Sequence, residues 1–528
     1  MDEVVINLDV LSRLRAHNVP MKILTTSLVL VGLLVLASCS SSPAATVVLA
    51  PTATAVPPGI SEGAVDWPLP NYDQSSTRAT FESKINSGNI DQLTEAWQYE
   101  LRDSGCGKYY CPGAAATTPI VIDGTVYIGD LLTNVHALDL ETGLQRWVVT
   151  VDARVIGPSG VVVGWGKVFA NKKGTQIAAY DKDNGEELWA TSLGGRIYIQ
   201  PTLVDDKVLA ATAGAGGPGS RGRLFALDQE TGDVLWSFDT IESDDLWGHP
   251  EINSGGGTWY PPSVDILNRV SYWGIANPYP YPGTAGYPAG SSRPGDNKWT
   301  NSILAIDLDT GGLRWGHQWL AHDLFDRDTV LTAVADLEGE PPRQVIVSTG
   351  KLGRVMGLDP DGTVLWDTLV GMHKNDDVVS FEGALEVLPG PNGGVITPIA
   401  LADGVVYASV VNAPETYPSP EQRGSEGGPD YGTFNSQFVA VDARNGDILW
   451  DIDLPGDSFG GATVANDLVF TSMLDGLIVA LDRATGETTW TYQASGAING
   501  WPAVVEDKLI IPIGYGNPPV LLALELPN

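Results

Sequence analysis

Basic residues are scarce in this chain. Thirty Lys and Arg stand against 64 Asp and Glu, a formal net charge of −34 over 528 residues. So acidic a surface repels phosphate backbones and argues against a nucleic-acid partner, although it says little about fold. Cysteine is scarcer still, with three in the chain and no Cys-x-x-Cys-His, so no c-type haem is attached. Long apolar runs are also missing. The one uncharged stretch of note, 23–37, has 15 residues and is short for a membrane span. Helix-period stretches are nearly absent. What remains is a globular composition, 43% hydrophobic, with 61 Gly and 36 Pro.

The short apolar run has a sense of its own. It follows Lys22 in MKILTTSLVLVGLLVLASC and fits a secretory signal, with an uncleaved anchor as the alternative. Leu36-Ala37-Ser38-Cys39 resembles a bacterial lipobox, in which the Cys is lipidated after cleavage. Residues 1–38 therefore read as leader and lipoprotein signal peptide, with Cys39 as the lipidated first residue of an extracytoplasmic, membrane-anchored chain. Residues 39–66, rich in Ser, Ala, Thr and Pro, read as a flexible tether. In that compartment Cys106 and Cys111 are a possible small-loop disulfide.

A repeat organises the remainder, 67–528. VHALDLETGLQRW (135–147) returns as AAYDKDNGEELW, FALDQETGDVLW, LAIDLDTGGLRW, MGLDPDGTVLW, VAVDARNGDILW and VALDRATGETTW, and a looser copy ends at Trp97. An apolar strand ends at Asp, a Thr/Asn-Gly pair turns the chain, and a second strand ends in Trp. Another strand pair precedes most copies, so each unit is a four-stranded antiparallel meander that needs neighbours to bury both faces. Trp97, Trp147, Trp189, Trp236, Trp315, Trp366, Trp450 and Trp490 mark eight units. The expected fold is all-β, an eight-bladed β-propeller. The last strand, VLLALEL, has no Trp after it and is expected to join the blade of Trp97, closing the ring.

One stretch breaks the rhythm. AHDLFDRD (321–328) crowds Asp323, Asp326 and Asp328 beside His322. Like charges at that density are costly unless a cation or a proton-transfer task needs them, and the plain alternative is a solvated loop. The long intervals between Trp236 and Trp315, and between Trp366 and Trp450, mark insertions of the kind that often line a binding face. The tyrosines of the first, Tyr260, Tyr272, Tyr279, Tyr281 and Tyr287, read as loop packing.

The ALDxxTGxxxW repeat resembles that of the pyrroloquinoline-quinone (PQQ) β-propellers. These include quinoprotein alcohol dehydrogenases and a non-catalytic outer-membrane assembly scaffold. The block SGGGTWYPPSVD…YWGIANPYPYPG…AHDLFDRD is similar to the central block of the dehydrogenases. The resemblance implies Trp259 as the floor under PQQ, Asn277 as a metal ligand, Asp326 as catalytic base and metal ligand, Asp328 as the additional ligand of lanthanide-using members, and Lys351 as the cation that reaches the quinone. A hard cation, Ca²⁺ or a lanthanide, would sit among these oxygens. It implies oxidation of an alcohol or similar hydroxy compound, with electrons passed to a cytochrome or another acceptor. A lipid-anchored interaction scaffold without a cofactor is the alternative reading.

The departures are specific. The family's ligand Glu falls at Gly216 or Gly217, and its PQQ-contacting Arg at Ser159. A further family Glu falls at Ala116 or Thr117, and Phe325 replaces a Trp. The family's vicinal cysteine pair has no counterpart.

Overall fold

The computed structural model describes residues 66–105, 113–339, 341, 343–424 and 431–527. The leader, Cys39, the tether, Cys106 and Cys111 lie outside these residues. Among the described residues no helix is long and apolar enough to cross a membrane.

The meander repeat folds as its pattern requires. In the first blade, strands Ile120–Ile122, Thr125–Gly129, Val135–Asp139 and Gln145–Val149 pair in sequence order, each antiparallel to the last. Six further four-stranded units follow, within 161–192, 202–239, 263–318, 331–369, 400–454 and 463–493. The eighth blade is built from both ends of the chain. Its strands Ala503–Val505, Lys508–Ile513 and Val520–Glu525 are completed by Thr94–Glu100, with Trp97 opposite Ala523. The ring therefore closes by pairing the two ends of the chain in one blade, as the missing last Trp leads one to expect.

The turn glycine and the terminal Trp of the repeat serve each other across the blade boundary. The indole N–H of Trp147 donates to the Lys182 carbonyl of the next blade at 2.9 Å, and Trp236 to Leu308 at 3.0 Å. Trp97, Trp189, Trp315, Trp366 and Trp450 do the same. Each ring lies flat against the turn glycine it faces. At Gly232 (φ +75°) a Cβ would come within 2.5 Å of the Trp189 ring, and at Gly311 within 2.7 Å of Trp236. The glycine is needed twice, for its left-handed backbone and for the space it leaves. These contacts tie the separate cores of neighbouring blades into a continuous ring.

A feature absent from the repeat closes one end of the axis. Residues 67–80 run past the first strand of one blade after another. Trp67 exchanges backbone hydrogen bonds with Val121. Gln74 accepts from Val264, Ser75 from Val334, Thr77 from Leu401 and Arg78 from Val464. The Arg78 side chain, fully buried, donates to the carbonyls of Pro70, Ala462 and Pro502 and to the hydroxyls of Thr118 and Thr463. With the Gln74 side chain donating to the Leu203 carbonyl, this collar pins seven of the eight blades at their inner strands.

The two insertions form short two-stranded ribbons, Ser254–Gly255 with Pro278–Tyr279 and Leu385–Val387 with Glu415–Tyr417. They meet where Ala289 N–H donates to the Pro420 carbonyl at 2.8 Å. A small core of Leu324, Phe325, Val387 and Tyr417 lies between them, so the acidic loop is folded into the insertions and is not solvated.

Candidate active site

The acidic loop is held by its own first acid. Asp323, fully buried, accepts from the backbone N–H groups of Phe325 (2.9 Å) and Arg327 (2.7 Å), and pairs with the Arg327 guanidinium at 3.3 Å. Burial alone would raise its pKa, but Arg327 and the two N–H groups outweigh it and hold the carboxyl below its usual range. His322 bridges the Gly295 and Ala289 carbonyls at 3.2 and 3.4 Å, and burial lowers its pKa. Both residues shape the loop and stand behind the chemistry.

The loop turns through Asp326, whose φ of +60° is left-handed and strained for a non-glycine residue. That turn projects Asp326 and Asp328 onto the same ammonium group. Lys351 Nζ lies 2.7 Å from Asp328 and 3.2 Å from Asp326. The lysine is fixed by its own backbone, whose N–H donates to the Asp328 carbonyl at 2.8 Å. Burial works against the Lys351 charge, yet the two carboxylates outweigh it and raise its pKa.

The two acids differ in what they have left to offer. Asp328 is saturated. Oδ1 accepts the Asn277 backbone N–H at 2.7 Å, while Oδ2 accepts the Trp259 indole N–H at 3.2 Å and the lysine. Asp326 uses only Oδ2, which accepts the Tyr281 hydroxyl at 2.8 Å and the lysine, so that Oδ1 has no donor among the described residues. Burial, opposed by Lys351 and reinforced by Asp328, pushes the Asp326 carboxyl up to about 7. A buried carboxylate with one fixed and one free oxygen, titrating near neutrality, is equipped to accept a proton.

Trp259 lies beneath this cluster, half-buried, with the Lys351 ammonium 5.4 Å from its ring centre and Tyr260 4.6 Å away on another side. Trp259, Asn277, Asp326, Asp328 and Lys351, spread over 93 positions of sequence, thus form one hydrogen-bonded group. The sequence reading missed two residues that touch it. Tyr281 is fully buried against Asp326, and Arg423, from the second insertion, stacks on the Tyr281 ring at 4.3 Å and donates to its hydroxyl. The aromatic run around Tyr281 was visible in sequence, but nothing local distinguishes a tyrosine aimed at an acid from one packed in a loop.

The departures also have a structure. Ser159 and Thr117 are occupied by neighbours: Asn171 donates to Ser159 at 3.0 Å, and Thr117 donates to Gln200 at 2.8 Å. The glycine-rich segment 213–222 runs in backbone contact with 254–257. A Cβ at Gly222 would fall 1.8 Å from the Gly256 carbonyl, so side chains are excluded where the strands touch.

Comparison with known proteins follows from this geometry. The family model for the glucose/ethanol/alcohol dehydrogenase β-propeller domain matches residues 67–161 and 196–369. The chain belongs to the PQQ dehydrogenase β-propeller family. A second family model, that of outer membrane protein assembly factor BamB, matches 133–251 and 432–517. The propeller is 26% identical to a quinohemoprotein alcohol dehydrogenase of Comamonas testosteroni, over 85% of this chain and 72% of that one. It is 26% identical to a lanthanide-dependent methanol dehydrogenase of Methylacidiphilum fumariolicum, over 83% of this chain and 82% of that one. The crystal structure of the Comamonas testosteroni enzyme shares the fold, with a TM-score of 0.75 at 22% identity over 87% of this chain and 80% of that one. A methanol dehydrogenase subunit of Methylorubrum extorquens is 27% identical over 85% of this chain and 83% of that one.

Proposed function

We propose that this protein is an extracytoplasmic PQQ-dependent dehydrogenase of an alcohol or similar hydroxy compound. The observation that carries the reading is Asp326, with Oδ2 held by Tyr281 and Lys351 and Oδ1 without a donor among the described residues, while the same Lys351 lies over the Trp259 ring.

The residues fit the cofactor. PQQ is flat and polyanionic, which suits an aromatic floor at Trp259 and a cation at Lys351. The buried Thr397 hydroxyl, which has no partner among the described residues, lies next in sequence to Ile396, whose carbonyl accepts the Tyr260 hydroxyl. They also fit a hard cation, Ca²⁺ or a lanthanide. Asp326 Oδ1 and the Asn277 side-chain oxygen are without donors among the described residues, and Asp328 adds a second carboxylate. Asp328 joins them only by releasing some of the donors it now accepts. Held by these residues, PQQ would supply a hydride acceptor and the ion Lewis acidity beside it.

Everything else falls to the chain. Trp259 and Lys351 orient the ring, Asp326 takes the hydroxyl proton at Oδ1, and Tyr281 keeps the carboxylate from rotating away. Electrons leave to a separate cytochrome or other acceptor, since the chain has no haem motif of its own. Cys39 would anchor the propeller to a membrane through the tether 39–66, and Cys106–Cys111 would close a small loop.

The test is reconstitution with PQQ and Ca²⁺ or La³⁺, followed by the bound-quinone absorption spectrum and dye-linked alcohol oxidation. Asp326→Asn should keep the fold and quinone binding and lose about 10²–10⁴-fold in turnover. A wild-type protein that binds no PQQ sinks the reading. It would favour the second one, a non-catalytic lipid-anchored scaffold, for which the partial match to the BamB model is the supporting observation.

A further inference from the structure

His373 stands where the chain leaves the blade 331–369 and enters the second insertion. Its imidazole is partly buried and surrounded by acceptors. Nδ1 lies 2.6 Å from an Asp376 carboxylate oxygen, and Nε2 lies 3.1 Å from the Gly353 carbonyl and 3.2 Å from that of Val370. A neutral imidazole has one N–H and one lone pair. Either neutral tautomer therefore turns a lone pair against an oxygen, and only the imidazolium donates on both sides. The hydrogen bond to Asp376 raises the pKa of the ring against the opposing effect of burial.

What the ring holds is the turn that carries Lys351. Gly353 closes that turn. Its N–H donates to the Gly350 carbonyl at 3.2 Å, and its own carbonyl accepts the Val370 N–H at 2.9 Å. A Cβ at Gly353 (φ +64°) would come within 3.1 Å of the imidazole, so the ring lies directly on the turn. Lys351 and Gly350 are held by backbone hydrogen bonds to Asp328 and Val395, while Gly353 is held by His373. The charged groups on the elements around the ring are otherwise engaged. Lys351 pairs with Asp326 and Asp328, Arg354 with Asp367, and Lys374 with Glu386. Arg327, whose field reaches Asp376, pairs with Asp323. Asp377 and Glu382 on the insertion are exposed.

We infer that protonated His373 is a positioning residue, which clamps the Lys351 turn to the root of the second insertion and so gives the site an alkaline limit. This rests on the dehydrogenase reading above in one respect, that PQQ is the anion Lys351 meets. The sign follows from the ring. A group whose pKa is raised by folding contributes in full below the ordinary histidine value of about 6.5 and ceases to contribute as pH rises through the raised value. Once the proton is lost, a lone pair faces either the two carbonyls or the carboxylate, and the turn loses its charged donor.

Hydrogen exchange on the cofactor-free full chain tests the clamp. Exchange of segment 350–354, corrected for its intrinsic pH dependence, should be about 3–10-fold faster at about pH 9 than at about pH 6. His373→Gln has no proton to lose and should show no such change. Asp376→Asn, which keeps the imidazole and removes its carboxylate, should move the change to lower pH, and it carries the test if Gln disturbs folding. PQQ affinity tests the positioning. Between the same pH values the wild-type dissociation constant should rise about 3–10-fold more than that of His373→Gln. Asp326 also titrates in this range, but it is common to both proteins and cancels in the comparison. In a Lys351→Met background the difference between His and Gln at position 373 should vanish. The same pH response in wild type and His373→Gln, in either measurement, overturns the inference. A difference in PQQ affinity that survives Lys351→Met does so too. PQQ bound by none of these proteins, with the exchange response as expected, sinks the dehydrogenase reading and leaves the clamp standing.

Discussion

Asp66 is a residue whose charge is poorly provided for. One of its oxygens is buried without a hydrogen bond among the described residues, and burial, with Asp123 and Glu506 nearby, pushes its carboxyl up to about 6. Between the ordinary carboxylate value and 6 the folded state keeps a proton that the unfolded chain has lost. Stability from this group is therefore full below about 4 and lost as pH rises through 6. Asp66→Asn should flatten that part of the pH dependence and make the variant more stable than wild type at pH 8, measured by urea unfolding. Lys351 is the opposite case, a buried cation that two carboxylates require. Lys351→Met leaves both acids buried without their counter-ion and should cost about 3–5 kcal/mol in the metal-free protein. If a metal can replace the ammonium, added La³⁺ should raise the melting temperature of this variant more than that of wild type.

The blade turn is the element on which the fold depends most often. Its glycine has two separable duties. At Gly232 the backbone is left-handed and the Trp189 ring fills the space where a side chain would be, whereas at Gly124 (φ +67°), in the turn between the first two strands of the first blade, the backbone is left-handed but nothing lies within 4 Å. Gly124→Ala should cost about 1 kcal/mol from backbone strain alone. Gly232→Ala should cost that plus about 1–3 kcal/mol for displacing the ring. Equal losses in chemical denaturation would mean that the Trp–Gly contact contributes nothing beyond the turn. The insertions behave differently, because their small core holds the acidic loop from outside the blades. Changes there are expected to disturb the site before they disturb the ring.

The whole molecule is closed twice. Pairing of Thr94–Glu100 with Val520–Glu525 completes the eighth blade, and the collar 67–80 ties the inner strands together. Trp97 belongs to the first closure, 7% exposed and bonded to the Leu140 carbonyl at 2.9 Å. Trp97→Ala should cost about 3–5 kcal/mol and expose the joint between the first and last blades to hydrogen exchange before the others. Arg78 belongs to the second. Burial lowers its pKa to about 9, so it stays charged at neutral pH while bonded only to carbonyls and hydroxyls. Arg78→Met strands three carbonyl acceptors, each worth about 1–3 kcal/mol when left unsatisfied. Its loss should be felt at several blades at once.

The blade count, the ring closure and the family were legible in the sequence because a repeated unit writes the same local physics eight times. Strand alternation, the Asp turn, the glycine and the Trp each act within a dozen residues or against the identical neighbour. The residues gathered around Asp326 could be nominated from a resemblance, but their division of labour could not. That Asp328 is saturated and Asp326 half-free depends on donors from Trp259, Asn277, Tyr281 and Lys351, up to 69 positions away in sequence. Tyr281 was visible only as loop packing, and Arg423 and the collar were not legible at all. Each acts on a partner distant in sequence that it meets only once, and a contact made once leaves no period in the chain. Local pattern determined the scaffold; the closing of the scaffold decided which charges would face each other.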